Sequence, residues 1–391
     1  MRKVRMLDIS LALMLLLDAM LFTSCSEGVP SDGMASADYE PKSLIGRMMI
    51  PYVYGEYLFC SASDSGDIVY QLLDDVQDVA LNIYTDPLAT GDDNPFGYAT
   101  YSFYLVDEEA TIANGGSPVL LFAHKNLRLA DCSYNIFSYD LATNEITMIK
   151  EGINENVQSL CLYGDYIIYT TNEGDNGYNI HRVMKDGTGY LKLDNPDCET
   201  YRVADVYGDR VYFCDGAYQI YSMSLDFDDV EYVLTYAGLA DVFVRDGYIY
   251  YPQYVETVVY TDDETGKESY YPSCNLCRSP VDSPEVSEIL INNFYVGMSS
   301  DTTLYYFAAD PSDSSVLSST LYSYSLNTGD IGVVYDDLPS NVYRSIDFAG
   351  DEYIVFSDVY MNESGAYGTA TYTALNLATG EEFTVSNKTA N

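Results

Sequence analysis

The chain has 391 residues, with 60 acidic against 18 basic and a formal net charge of −42. Such a surface repels nucleic acid and anionic lipid head groups, while 47% hydrophobic residues exclude a disordered acidic protein. The two histidines, neither beside a carboxylate pair at ligand spacing, weigh against a His-based triad and a multi-His zinc site, and 41 tyrosines with no tryptophan favour strands.

The N-terminus opens on Arg2, Lys3 and Arg5, followed by apolar runs from Ile9 to Leu17 and from Ala19 to Phe22. A basic region before a short apolar one reads as a secretory signal over residues 1–24, too short to span a bilayer well. It ends at Phe22-Thr23-Ser24-Cys25, which resembles the bacterial lipobox. The resemblance implies acylation of Cys25 and a membrane-anchored lipoprotein facing the outside or the periplasm. More than one acyl chain on that residue gives stable anchoring. Residues 25–44 are small, polar and aperiodic at their start, and are expected to form a flexible tether.

From residue 45 to 391 the sequence repeats. An apolar or aromatic residue, an aromatic and a small residue recur as Leu58-Phe59-Cys60, Leu121-Phe122-Ala123, Ile168-Tyr169-Thr170 and Tyr212-Phe213-Cys214. The pattern continues as Tyr250-Tyr251-Pro252, Tyr306-Phe307-Ala308 and Val355-Phe356-Ser357. Gly-acid or Asp-Gly turns precede most of these, at Gly55-Glu56, Gly164-Asp165, Gly208-Asp209, Asp246-Gly247 and Gly350-Asp351. A second column alternates with period two, as in Ile136 to Leu141, Ile220 to Leu225 and Leu321 to Leu326. Each unit therefore reads as four antiparallel strands over about 40–50 residues, the pattern of a propeller blade. The predicted fold is an all-β propeller with seven four-stranded blades, six and eight being the alternatives. The aromatic column is expected to pack between blades. The second unit, 97–150, is the least regular. Cys60 and Cys214 are expected at equivalent positions where a small apolar residue is wanted.

The small-residue column and Tyr212-Phe213-Cys214-Asp215 resemble the YWTD propellers of lipoprotein receptors. The Tyr-rich style of Gly164 to Tyr169 and Ile180 to Gly189 is similar to a group of exported bacterial propellers. The resemblance implies the fold and little about activity, because propellers host unrelated functions.

No nucleophile, base or cofactor motif assembles, so no catalytic residue is assigned. His124 and His181 sit in predicted strands and read as structural. Cys274-Asn275-Leu276-Cys277 lacks the second pair a zinc ribbon needs, leaving a disulfide or two plain thiols. Among ions, calcium suits the acidic loops best, with Asp175, Asp262 and Asp263 as candidate ligands. Solvated acidic loops are the simpler reading, and no EF-hand spacing occurs. Two irregular inserts, 97–118 and 252–275, are the candidate binding surfaces, through Tyr98, Tyr101, Tyr104, Tyr254, Tyr260, Tyr270 and Tyr271. Tyrosine offers large contact area with a polar tip. The expected function is a monomeric binding or scaffold module for an envelope or extracellular protein or glycan, with no nucleic-acid partner. The alternative is an envelope polysaccharide hydrolase or lyase that uses carboxylates of a central funnel.

Overall fold

The computed structural model describes residues 42–48, 52–61, 68–73, 81–82, 102–125, 133–172, 178–193, 200–237, 242–261, 268–309, 317–336, 342–361 and 367–385. All lie in one compact unit that begins at Pro41.

Strand β1 (Leu44–Met48) comes first. Group I follows as β2 (Tyr52–Tyr54), β3 (Tyr57–Ser61), β4 (Ile68–Leu72) and β5 (Leu81–Asn82). Group II is β6 (Ser102–Val106), helix α1 (Glu108–Ala113), β7 (Val119–Lys125), β8 (Tyr134–Asp140) and β9 (Glu145–Ile153). Group III is β10 (Asn156–Tyr163), β11 (Tyr166–Asn172), β12 (Tyr178–Met184) and β13 (Leu191–Lys192). Group IV is β14 (Thr200–Tyr207), β15 (Arg210–Asp215), β16 (Gln219–Ser224) and β17 (Glu231–Thr235). Next come β18 (Phe243–Arg245), β19 (Tyr248–Thr261), β20 (Glu268–Pro280), β21 (Glu288–Ser299), β22 (Thr303–Ala309), β23 (Leu317–Ser325) and β24 (Ile331–Tyr335). Group VII closes the chain with β25 (Val342–Ala349), β26 (Tyr353–Met361), β27 (Tyr367–Asn376) and β28 (Glu382–Val385).

Groups I, IV and VII are separate four-stranded antiparallel sheets in chain order. The strands β18 to β24 form one sheet because β21 serves twice: Glu288 to Phe294 pairs back to β20, and Phe294 to Ser299 pairs forward to β22. Divided at that point it gives groups V and VI. Groups II and III are fused into a nine-stranded sheet by β1, which lies between β6 and β10. The fold is a β-propeller.

The period-two alternation explains how the ring packs. On β11, Ile167 and Tyr169 enter the core between groups II and III, while Ile168 enters the core between III and IV. On β15, Phe213 faces group III while Tyr212 and Cys214 face group V. Successive side chains of one strand thus serve two neighbours. The described core divides into seven clusters, one at each join of successive groups, including that of group VII with group I.

Glycine at the turns between first and second strands has a geometric cause. Gly55, Gly164 and Gly208 adopt φ of 54°, 55° and 62°, a left-handed region where a Cβ is strained. Counting from these turns corrects the aromatic column. The fourth residue of the second strand is Cys60, Phe122, Tyr169, Phe213, Tyr251, Tyr306 and Phe356. Phe59 and Phe307 are third and fifth residues and face the opposite neighbour, so the alignment read from sequence slips by one in groups I and VI. Cys60 and Cys214 are both buried but occupy different positions, fourth and fifth. A one-residue slip exchanges the two faces of a strand, and a similarity in residue type alone does not fix register. The irregularity of the second unit is α1, which replaces a short turn between β6 and β7.

Candidate functional site

The first strands of the groups converge on one cavity of about 650 Å³. It is bordered by residues of β2, β6, β10, β14, β18, β21 and β25, one strand from each of the seven groups. Turns between first and second strands form its rim, from Gly55, Ser300, Asp301 and Gly350 to Glu352.

At the rim, Lys42 places its ammonium 2.7 Å from Glu108 and 2.9 Å from Asp301. Glu108 comes from the first turn of α1. The helix starts where it does because Asp107 caps it, its carboxylate accepting from the Ala110 N–H at 3.1 Å. Asp107 is itself held by Lys185 at 2.7 Å. Partial burial opposes the Lys42 charge, but hydrogen bonds and attraction from Glu108 and Asp301 outweigh it and raise Lys42 above the ordinary lysine range.

Deeper in, Asp205 is 1% exposed. One oxygen accepts from Arg245 Nη1 at 2.8 Å and from the Val244 N–H at 2.7 Å; the other accepts from the Val206 N–H at 2.8 Å. Burial pushes Asp205 upward, and Arg245 with the backbone donors pulls it partly back. Ser43 Oγ accepts from the Val206 N–H at 3.2 Å and lies 3.4 Å from Cys161 Sγ, fixing the start of β1. Ser345 donates to Asp347 at 2.8 Å. Asp351 and Glu352 are exposed at the rim and make no ion pair with a described residue. Aromatic rings complete the wall, with Tyr52 and Phe348 at a centroid distance of 4.8 Å.

A second feature leaves the ring from the other end of the strands. The arm of β19 and β20 is a hairpin of 14 and 13 residues. Its neighbour β18 pairs only with Tyr248 to Tyr250, and β21 pairs with β20 from Cys274 onward. Glu256 to Thr261 and Glu268 to Ser273 therefore continue as a two-stranded ribbon of about 20 Å. A bulge at Val255 kinks its base. Tyr254 and Val255 are 52% and 50% exposed there, and Tyr254 OH lies 2.8 Å from Thr257 Oγ1.

The residues singled out in the sequence fall differently. Tyr254 is exposed on the arm. The backbone of Tyr260, Tyr270 and Tyr271 lies in its ribbon. Tyr104 is 1% exposed and packs with Phe59 and Phe122, so it belongs to the core and not to an exposed insert. It faces inward because it alternates with Phe103 and Leu105 on a first strand buried on both sides. Tyr98, Tyr101, Asp175, Asp262, Asp263 and Cys25 lie outside the described residues. Among the described residues no three His, Cys, Asp or Glu side chains group as a metal site would require.

Cys274 and Cys277 are both free and buried, so of the two readings the thiols hold and the disulfide does not. Three residues apart on one strand, they enter different surroundings, and burial pushes Cys274 up to about 11. His181 is structural in its geometry: it stacks on Tyr169 at 4.8 Å, with its ring nitrogens 2.8 Å from Thr171 Oγ1 and 3.1 Å from Tyr190 OH. Sequence reading missed Lys42, Glu108, Asp205, Arg245 and Asp301. Arg245 ends a first strand, Asp301 lies in the turn after one and Glu108 in the helix that replaces such a turn, a signal that 60 acidic residues hide for the carboxylates; Lys42 and Asp205 carry no such local signal.

No protein-family model matches the sequence, and no curated protein does. Among solved structures, the chain is similar to a prolyl endopeptidase at 10% identity and a TM-score of 0.52, over 98% of this chain and 55% of that one. It is similar to a puromycin hydrolase S511A mutant complexed with PGG at 11% identity and a TM-score of 0.50, over 92% and 55%. The β-propeller domain of the Trilobed protease from Pyrococcus furiosus matches at 12% identity and a TM-score of 0.44, over 68% and 79%. The chain spans about half the length of the two hydrolase structures. At these identities the likeness is one of fold.

Proposed function

We propose that the chain is a seven-bladed exported propeller, related to the YWTD type and anchored through lipid on Cys25. In this reading it is a monomer that binds a protein or glycan of the envelope or its surroundings. The arm with exposed Tyr254 and Val255 is the single observation that carries the reading. The ribbon extends beyond its sheet, and at its base Tyr254 and Val255 present an aromatic ring and apolar area to solvent. Calcium stays an open partner of the acidic loops.

The hydrolase or lyase alternative requires carboxylates free to act as acid, base or nucleophile. Glu108 and Asp301 are engaged by Lys42, and Asp205 by Arg245, which weighs against their use; Asp351 and Glu352 lie outside these pairs but are adjacent residues of one exposed turn at the rim.

Affinity capture tests the reading. The immobilised full-length mature chain is exposed to solubilised envelope and to a glycan panel, with and without calcium. The expected result is a saturable partner that survives moderate salt and is lost with Tyr254→Ser and Val255→Asp together. Capture of nothing, or turnover of an envelope polysaccharide, overturns it.

A further inference from the structure

Strand β1 is foreign to the four-strand repeat. The first strands β2, β14, β18 and β25 each form the edge of their sheet, whereas β6 and β10 carry an added strand on that edge. The register runs Leu44↔Leu162, Ile45↔Cys161 and Gly46↔Leu160, and then Arg47↔Tyr104 and Met48↔Phe103. One five-residue segment is thus paired through its main chain with two neighbouring groups in succession. Two side chains at its start make specific contacts. The Lys42 ammonium sits between carboxylates from groups II and VI, and Ser43 docks on the Val206 N–H. Two further rim carboxylates, Asp351 and Glu352, border the same cavity. A main-chain ladder for affinity together with a charged socket for specificity is how extended peptides are recognised by strand addition.

We infer that the centre of the ring is a binding site for an extended peptide segment of a partner protein, with a lysine two residues before its paired strand, and that residues 42–48 of this chain fill it in cis. The inference rests on the binding reading above and names its ligand class. The evidence for it is that an extended lysine-bearing segment is seated there and that the socket is acidic. A covalently attached occupant competes at an effective concentration on the order of millimolar, so a peptide added in trans binds well only when the cis segment is released.

The test uses the full mature chain and a fluorescent peptide with the sequence of residues 40–50, followed by anisotropy. Ile45→Pro breaks the cis strand by removing a backbone donor. It is expected to bind the peptide at least ~10-fold more tightly than the wild type, in keeping with relief from that cis competition. Adding Glu108→Gln and Asp301→Asn is expected to remove at least that gain, and a peptide with glutamate in place of lysine is expected not to bind. Lys42→Glu leaves the main chain intact and serves if Ile45→Pro does not fold; it too is expected to bind the peptide more tightly than the wild type. Equal binding by the wild type and a folded variant, or equal binding of the lysine and glutamate peptides, overturns the inference. A wild-type dimer that the peptide dissociates identifies a second copy as the occupant and also overturns it. Failure here with a partner still captured through the arm leaves the binding module standing; failure of both removes it.

Discussion

Two joins of the ring are built differently. Groups II and III meet around Leu105, Leu121, Leu160, Ile167 and other buried side chains, and β1 is hydrogen-bonded to both sheets. Groups VII and I, which close the ring, meet through Val53, Leu58 and Leu73 against Val355 and Ala374, with the Tyr52–Phe348 ring contact beside them. Among the described residues no strand crosses that closing join. One join is thus fixed in register by directional bonds, and the other is held by apolar burial, which is non-directional. Closure also joins groups far apart in sequence and carries the loop entropy of that separation. The closing join is therefore expected to open first, and the join stitched by β1 to persist.

The largest effects come from truncating the two joins. Leu58→Ala and Leu160→Ala each remove a fully buried leucine, and each is expected to cost about 3 kcal/mol in urea unfolding. The kinetics separate them. The Leu58→Ala loss is expected almost wholly as faster unfolding, and the Leu160→Ala loss mainly as slower folding. A reversed partition breaks the comparison.

Next is Asp205→Asn, which removes the charge facing Arg245 and is expected to cost about 2 kcal/mol. Because burial raises Asp205, the folded chain holds that proton more tightly than the unfolded chain does. The wild type therefore loses stability as pH rises above the ordinary carboxylate value of 3.8 towards the folded value. The variant lacks this slope, so its deficit narrows with rising pH in thermal melts.

Glycine substitutions sharpen the comparison at smaller scale. Gly187 has φ of 81°, and a Cβ there would lie 2.8 Å from the carbonyl oxygen of Ile149, on group II. Gly187→Ala strains both its own backbone and the II–III join and is expected to cost about 2 kcal/mol. Gly55→Ala meets no neighbour within 4 Å and is expected to cost about 1 kcal/mol from its φ of 54° alone.

The smallest change is Asp140→Ala. This carboxylate accepts from the Ala142 N–H at 2.8 Å and from Asn114 at 3.0 Å, and its net pKa is lowered despite some desolvation. Its contribution is present above the ordinary carboxylate pKa and is lost as pH falls through the lowered one. The side chain is largely solvated, so the expected cost at neutral pH is under about 1 kcal/mol.

Much of the ring is legible in the sequence because its determinants are local. Gly164-Asp165 and Gly208-Asp209 announce hairpins, and Ile220 to Leu225 shows a half-buried strand by its alternation alone. The slip at Cys60 and Tyr306 arises because aromatic residues occupy both faces of the second strands, so residue type does not report register. Tyr104 misleads for a related reason: tyrosine suits a core next to Phe122 as well as it suits a surface. The centre is the least legible part. Lys42, Glu108 and Asp301 are far apart in sequence and meet only in the folded propeller. The stretch Leu44 to Met48 straddles the boundary that the sequence suggests between tether and propeller, and nothing local says that it pairs with β6 and β10. The arm is visible as a long irregular insert, although its regular pairing from Tyr248↔Pro280 to Thr261↔Glu268 is not.

Native-state hydrogen exchange of the full chain, read by mass spectrometry, tests the unequal joins most directly. The account predicts that amides of β2, β3, β25 and β26 exchange through a partial opening well below the global unfolding free energy. Those of β6, β10 and β11 are predicted to exchange only with global unfolding. Equal protection across the ring, or earlier exchange at β6 and β10, would contradict it.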